Sequence, residues 1–278
     1  MIKAHEGSTL TAQGEADQAL AVSERPALVI LPTFNERENI VTMISRLLES
    51  SGRTEILVID DGSPDGTSSI VRELMHDRPR VHLIERKGKL GLGSAYLLGF
   101  EYALHGGFGA AITMDADHSH DPVHIDAMLS LAENGADLVI GSRYTEGGSV
   151  ENWGAIRRLN SGVANLLARR VVGQHVRDCT SGYRLYSAPL LERMRRIGLR
   201  STGYSMLVEL LYEATVSAAS IAEVPIRFRD RVAGESKISW QEVAESLRTL
   251  LRLKALQIAA KQRTKLMKPA QKASFYDR

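Results

Sequence analysis

The chain has 278 residues, of which 44% are hydrophobic and 24% charged, and its formal net charge is +2. That length and composition suit one large soluble domain, or a domain with an appendage, and the small net charge excludes a global nucleic-acid-binding character. The lone cysteine, Cys179, excludes an internal disulfide, fits a reducing compartment and reads as a small buried side chain.

Residues 1–25 are polar and lack the apolar stretch of a signal peptide, so they are expected to form a poorly ordered arm. Ala27 to Leu31 is a continuous apolar run closed by Pro32, the pattern of a strand buried on both faces. Ile40, Met43, Ile44, Leu47 and Leu48 then fall on one helical face. Glu55 to Ile59 is a second strand that ends in Asp60–Asp61 before the turn GSPDG. Ile70, Val71, Leu74 and Met75 mark a second helix, Val81 to Ile84 a third strand, and Ser94 to Leu104 a third helix. Ala110 to Met114 is a fourth strand, followed by a helix around Ile125, Met128, Leu129 and Ala132, and Ala136 to Ile140 is a fifth.

Such alternation predicts an α/β fold, a doubly wound and mostly parallel sheet. Further on, the pattern predicts a helix over Ala155–Val172, a strand near Tyr183–Tyr186, a strand over Ala222–Phe228 and a closing helix from Ser239 to about Met267. No apolar run approaches the roughly twenty residues that span a bilayer; the best candidate, Met206 to Val224, is interrupted by Glu209, Glu213 and Glu223.

The chemistry centres on MDADHSHDP. Asp115 and Asp117 flank Ala116 at the end of the fourth strand, and positions two apart on an extended chain share a side. Paired carboxylates repel unless a cation sits between them, and hard oxygen ligands suit Mg²⁺ or Mn²⁺. Acidic groups also follow the first strand (Glu36) and the second (Asp60, Asp61). Strand ends in such a sheet lie along one crevice. Taken singly, Asp60–Asp61 reads better as turn chemistry before GSPDG. Zinc at His118, His120 and His124 is disfavoured, since no cysteine joins them. GKLGLGSAYLLG lacks the last glycine of a dinucleotide fingerprint, where Tyr96 stands, and DCTSGYR lacks the elbow of an acyl-transfer serine.

The ordered runs LPTFNERENI, VIDDGSPDGT, MDADHSHDP, IGSRY and DCTSGYRLY resemble glycosyltransferase family 2, inverting enzymes of the GT-A fold, and within it the polyprenyl-phosphate (dolichyl-phosphate) mannose synthases. The likeness runs from about Ala27 to Gln241 and implies a GT-A domain over 26–238, between an arm over 1–25 and a basic amphipathic helix and tail over 239–278. It implies a nucleotide pocket lined by Pro32, Phe34, Glu36, Ile59 and Asp61. Asp115 and Asp117, with Ala116 between them, would hold a divalent ion that bridges a diphosphate. In some relatives a glutamine completes that shell; Ser119 stands here, so the hydroxyl or water would fill its place.

The residues matching Arg143, Arg157, Arg231 and Lys237 contact phosphates of donor and acceptor in the family. Guanidinium groups match phosphate in bidentate fashion, and a metal alone would not neutralise the charges assembled there. Asp117, Arg143, Arg231 and Lys237 are the expected catalytic set.

On the closing helix, Trp240, Val243, Leu247, Leu250 and Leu251 form an apolar face, and Lys254, Lys261, Lys265 and Lys268 recur behind it, with Arg252 and Arg263 beside them. Periodicity alone admits either a packed helix with a solvated basic end or one resting on anionic lipid. The resemblance favours membrane contact, direct or through a small membrane partner protein, at the cytoplasmic face. The implied reaction moves mannose from GDP-mannose to a polyprenyl phosphate; the alternatives are glucose from UDP-glucose, or a sugar-nucleotide-binding protein without catalysis.

Overall fold

The computed structural model describes residues 25–151, 153–172, 176–195, 201, 203, 205–229 and 240–267, with side chains except at 155–157, 240–243 and 260–267. The elements β1 (Ala27–Thr33), α1 (Arg37–Ser50), β2 (Thr54–Asp60), α2 (Thr67–Asp77), β3 (Val81–Glu85), α3 (Leu92–His105) and β4 (Ala110–Thr113) follow one another. A 3-10 turn at Pro122–His124 leads into α4 (Ile125–Glu133) and β5 (Leu138–Ser142). Beyond lie β6 (Ser149–Glu151), α5 (Ala155–Val172), β7 (Arg184–Ser187), α6 (Ala188–Met194), α7 (Ser205–Val216), β8 (Ile221–Pro225), β9 (Arg227–Arg229) and α8 (Trp240–Met267).

Among the described residues the main sheet runs β3-β2-β1-β4-β7-β5-β8. Its neighbours pair in parallel except β7, which is antiparallel to both β4 and β5. Alternation along β1 explains why this strand is apolar throughout. Leu28 and Ile30 join a core with Tyr96, Phe100 and Ala103 of α3, while Val29 and Leu31 join one with Ile40, Met43 and Ile44 of α1. Both faces are therefore covered, as a parallel sheet requires. Helix α3 lies so close to β1 that a Cβ on Gly99 would meet Ile30 at 2.6 Å.

The chain steps from β1 through β2 to β3 on one side, then returns to lay β4 on the other side of β1. The crevice beyond the carboxyl ends of β1 and β4 is thus the switch point, where ligands bind in open α/β sheets.

One expectation changes. The strand expected over Ala222–Phe228 is two strands, because Pro225 cannot donate to a ladder and Ile226 turns the chain. The Ile226 N–H donates to Ser142 O at the end of β5, and its carbonyl accepts from Ser149 N (both 3.0 Å). This directs β9 away from the main sheet, to pair in parallel with β6. On α8, Thr249 and Leu253 pack inward and Leu250 is half-buried, whereas Leu247 and Leu251 of the apolar face point outward, which the periodicity had left open. Trp240 and Val243 of that face, and Lys261, Arg263, Lys265 and Lys268, carry side chains outside those described, as do residues 1–24 of the arm.

Candidate active site

The ends of β1 and β2 are knitted together by Asp60. Its buried carboxylate accepts from Thr33 Oγ1 (3.1 Å), Ser63 Oγ (2.6 Å) and Ser63 N (2.8 Å), so Asp60 shapes the turn. Asp61 turns the other way and forms a nearly buried ion pair with Arg86, while its second oxygen accepts the Leu90 N–H at 3.2 Å. These contacts draw segment 86–91 over the ends of β2 and β3. Lys89 from that segment places its Nζ 4.8 Å from the centre of the half-exposed Phe34 ring. Phe34 therefore presents an aromatic face with a cation above it, suited to an electron-rich planar ring.

Of the other expected pocket residues, Glu36 precedes α1 and its Oε2 accepts from Asn39 Nδ2 at 2.8 Å. Pro32 lies on β1 opposite Ile59 of β2. Ile59 is fully buried among Leu28, Leu57 and Ala95, so its side chain belongs to the core instead of a pocket wall. Ala116 likewise packs in the opposite core with Met114 and Ile125.

The paired carboxylates do not sit on an extended strand. β4 ends at Thr113, and Asp115 to Ser119 form a turn in which His118 adopts a left-handed φ of 64°. The alternation expected of a strand is thus replaced by turn geometry. Asp117 is buried and its Oδ1 accepts the Ser119 N–H at 3.0 Å, while Asp115 keeps 30% of its side chain exposed. The Asp115 N–H donates to His120 Nδ1 at 3.0 Å, so the other ring nitrogen of a neutral His120 carries the proton. Burial pushes the His120 pKa down, against the opposing pull of Asp115 and Asp117. Its ring stacks on Tyr183 at 5.1 Å and meets the edge of Phe228 at 5.5 Å.

Ser119 supplies the clearest sign of a missing partner. Its side chain is buried, yet its Oγ has no hydrogen-bond partner among the described residues. Buried hydroxyls are ordinarily satisfied. An oxygen left so beside Asp117 fits a site completed by a cation. Among the described residues, no three of His, Cys, Asp and Glu gather as a metal-holding group. Two carboxylates and a hydroxyl would leave half the positions of an octahedral ion to phosphate oxygens and water, the arrangement Mg²⁺ prefers at phosphate sites.

Arg143, just past β5, reaches the same region but is already engaged. Its Nε and Nη2 each donate to Asp178 at 2.7 Å, its backbone N–H donates to Asp178 at 3.0 Å, and Nη2 also donates to Thr180 Oγ1 at 2.8 Å. The guanidinium also lies about equally far from the rings of Tyr144, Trp153 and Phe228, at 5.4, 5.5 and 5.5 Å. Burial alone would raise the Asp178 pKa and lower that of Arg143, but their mutual hydrogen bonds and charge outweigh it, holding Asp178 below and Arg143 above the ordinary range. The pair is thus fully ionised.

The turn that carries Asp178 is itself clamped. Buried Arg184 donates to the carbonyls of Cys179 (2.8 Å), Ser181 (2.8 Å) and Leu207 (2.6 Å). Arg231 and Lys237, and the side chain of Arg157, lie outside the described residues. Asp178, Arg86, Lys89 and Phe228 were absent from the sequence expectation. The run Arg86-Lys87-Gly88-Lys89 directly after a strand was a legible sign of two of them; the pairing of Asp178 with Arg143, 35 residues apart, was not.

Comparison with known proteins fits this geometry. Residues 28–195 match the family described as Glycosyl transferase family 2. The chain is 41% identical over 232 residues to a polyprenol monophosphomannose synthase of Mycolicibacterium smegmatis, covering 83% of this chain and 88% of that protein. It is 38% identical over 220 residues to an undecaprenyl-phosphate mannosyltransferase of Micrococcus luteus, covering 79% and 90%. In fold it is similar to the glucosyl-3-phosphoglycerate synthase of Mycobacterium tuberculosis, solved with Mn²⁺, UDP and glucosyl-3-phosphoglycerate. The TM-score is 0.61 at 20% identity, over 91% of this chain and 87% of that one.

Proposed function

The chain belongs to glycosyltransferase family 2, and from that premise we propose that it transfers mannose from GDP-mannose to a polyprenyl phosphate, with inversion at the anomeric carbon. The products are polyprenyl-phosphate mannose and GDP. The observation that carries this reading is the Asp115–Asp117 turn at the β1/β4 switch point, with the buried, unpartnered Ser119 hydroxyl beside it. The mannosyl and lipid assignments follow the relatives at 41% and 38% identity.

Asp115, Asp117 and Ser119 would hold Mg²⁺ or Mn²⁺. When bound, that ion supplies charge neutralisation to the donor diphosphate. Phe34 and Lys89 offer a stacking face and a cation to the nucleobase, and Asp61 holds the segment that brings Lys89 there. Arg143, held in one orientation by Asp178, presents fixed positive charge toward the phosphates without needing to reorganise. Arg157, Arg231 and Lys237 remain proposed phosphate contacts.

A phosphate oxygen of the lipid attacks the anomeric carbon as the bond to the donor diphosphate breaks, and GDP leaves. The acceptor phosphate needs no dedicated base, since its second pKa is near ~6. Asp117 therefore serves as an oxygen ligand rather than a proton acceptor. No helix among the described residues is long and apolar enough to cross a membrane, so the lipid acceptor is met by peripheral docking at the cytoplasmic face or through a small membrane partner. A donor panel of GDP-mannose, UDP-glucose and GDP-glucose with a short polyprenyl phosphate tests the reading. Turnover confined to UDP-glucose, or absent with every donor, overturns it.

A further inference from the structure

Of the three histidines near the acidic pair, His120 is the one folded into the interior; His118 and His124 are only half-buried. The Asp115 N–H donates to His120 Nδ1 at 3.0 Å. That contact closes the chain from Asp115 to His120 into a loop, and the loop contains Asp115, Asp117 and Ser119, every side chain assigned to the cation. Inside it, Asp117 Oδ1 accepts the Ser119 N–H at 3.0 Å and His118 holds a φ of 64°. A left-handed conformation is costly for a residue with a side chain and persists only where its surroundings impose it. The His120 acceptor is the contact that fastens the open end of this loop.

His120 is itself held from two sides. Its ring stacks on Tyr183 at 5.1 Å, and the Tyr183 hydroxyl donates to the Asp121 carbonyl at 3.1 Å, so one tyrosine fixes both the ring and the backbone beside it. Phe228 meets the ring at 5.5 Å and lies 5.5 Å from the Arg143 guanidinium, which joins the acidic turn to the arginine across it. The lone pair of Nδ1 is taken by the amide, so this nitrogen is no metal ligand. Asp115 Oδ2 stands 3.8 Å from it, and a nitrogen without a proton offers that oxygen no hydrogen bond. The imidazole therefore grips the backbone of Asp115 without competing with a cation for its carboxylate.

We propose that His120 is a positioning residue, which closes the Asp115–His120 loop through Nδ1 and so holds the acidic turn in the shape that takes a divalent cation. The proposal rests on the cation site assigned above and deepens it. Groups behind a metal's own ligands set their geometry and change affinity strongly when removed.

Mn²⁺ is titrated calorimetrically into the full chain with GDP present, for wild type, His120→Phe and His120→Asn. Phenylalanine keeps a ring between Tyr183 and Phe228 but has no acceptor. Asparagine loses the ring but carries its amide oxygen where the imidazole carries Nδ1. Affinity should fall about tenfold or more in His120→Phe and return to within about threefold of wild type in His120→Asn, whatever their unfolding midpoints. A residue that served packing alone would give the reverse order. Hydrogen exchange of the Asp115 amide, followed by NMR without metal, should be slow in wild type and His120→Asn and fast in His120→Phe. The wild-type exchange keeps the test decisive if a variant does not fold. Equal Mn²⁺ affinity in all three, a phenylalanine variant that binds more tightly than the asparagine one, or an unprotected Asp115 amide in wild type overturns the proposal and leaves the cation site standing. A wild type that binds no Mn²⁺ overturns both.

Discussion

Asp178 grips Arg143 through two parallel hydrogen bonds of 2.7 Å and accepts a third from the Arg143 backbone, with both side chains almost wholly buried. Removing one member leaves the other charge buried without its counter-ion. Asp178→Asn is expected to cost about 3–5 kcal/mol of stability, read as a lowered denaturant midpoint. Arg143→Lys cannot restore the forked geometry and should lose stability and turnover together. A wild-type midpoint in Asp178→Asn would show the pair to be energetically idle.

The same pair sets a pH dependence. Asp178 has a depressed pKa in the folded chain, so its contribution is complete above the unfolded value of ~3.9 and is lost as pH falls toward the folded one. The stability gap between wild type and Asp178→Asn should stay flat from neutrality to about pH 5, then shrink by up to ~1.4 kcal/mol per unit. A gap that widens on acidification would reverse the sign argued here.

Much of the scaffold was legible, because apolar runs and one-face spacings are local signals. The helix expected over Ala155–Val172 has those bounds, and β1 and β2 fall where their continuous apolar runs lie. What escaped depends on pairing across the chain. Asp178 and Arg184 stand six residues apart in one motif, yet one holds a neighbouring cation and the other clamps backbone carbonyls. No spacing rule separates those roles. The split of β8 from β9 at Ile226 also required knowing that β6 lay near enough to accept a second sheet. On α8 periodicity left open which side faces the domain, and the domain takes Thr249 and Leu253.

Ser119 offers a test of the cation site that does not need turnover. Its buried Oγ lacks a partner among the described residues, and such a group costs about 1–3 kcal/mol. Ser119→Ala should therefore match or exceed wild-type thermal stability without metal, yet bind Mn²⁺ more weakly by calorimetry. Unchanged Mn²⁺ affinity would remove Ser119 from the ligand set.

Cys179 is buried and its thiol is pushed up to about 12, chiefly by burial. Thiol-reactive reagents act on the thiolate, so labelling at pH 8 should be negligible in the folded chain and rapid in denaturant. Fast labelling of native protein would contradict this packing.

Gly99 lies where α3 approaches β1 most closely, and a Cβ there would meet Ile30 at 2.6 Å. Gly99→Ala should destabilise by roughly 1–3 kcal/mol despite the better helix propensity of alanine, as measured by chemical unfolding. A stabilised variant would mean that β1 yields more readily than its buried position implies.

The most direct measurement is transfer of labelled mannose from GDP-mannose to a short polyprenyl phosphate, run on wild type with and without EDTA and on Asp117→Asn. The expected result is robust transfer by wild type with Mg²⁺ or Mn²⁺, restored after chelation by added metal, and a loss of about a hundredfold or more in Asp117→Asn. Full transfer in EDTA, or an Asp117→Asn enzyme as active as wild type, would contradict the account.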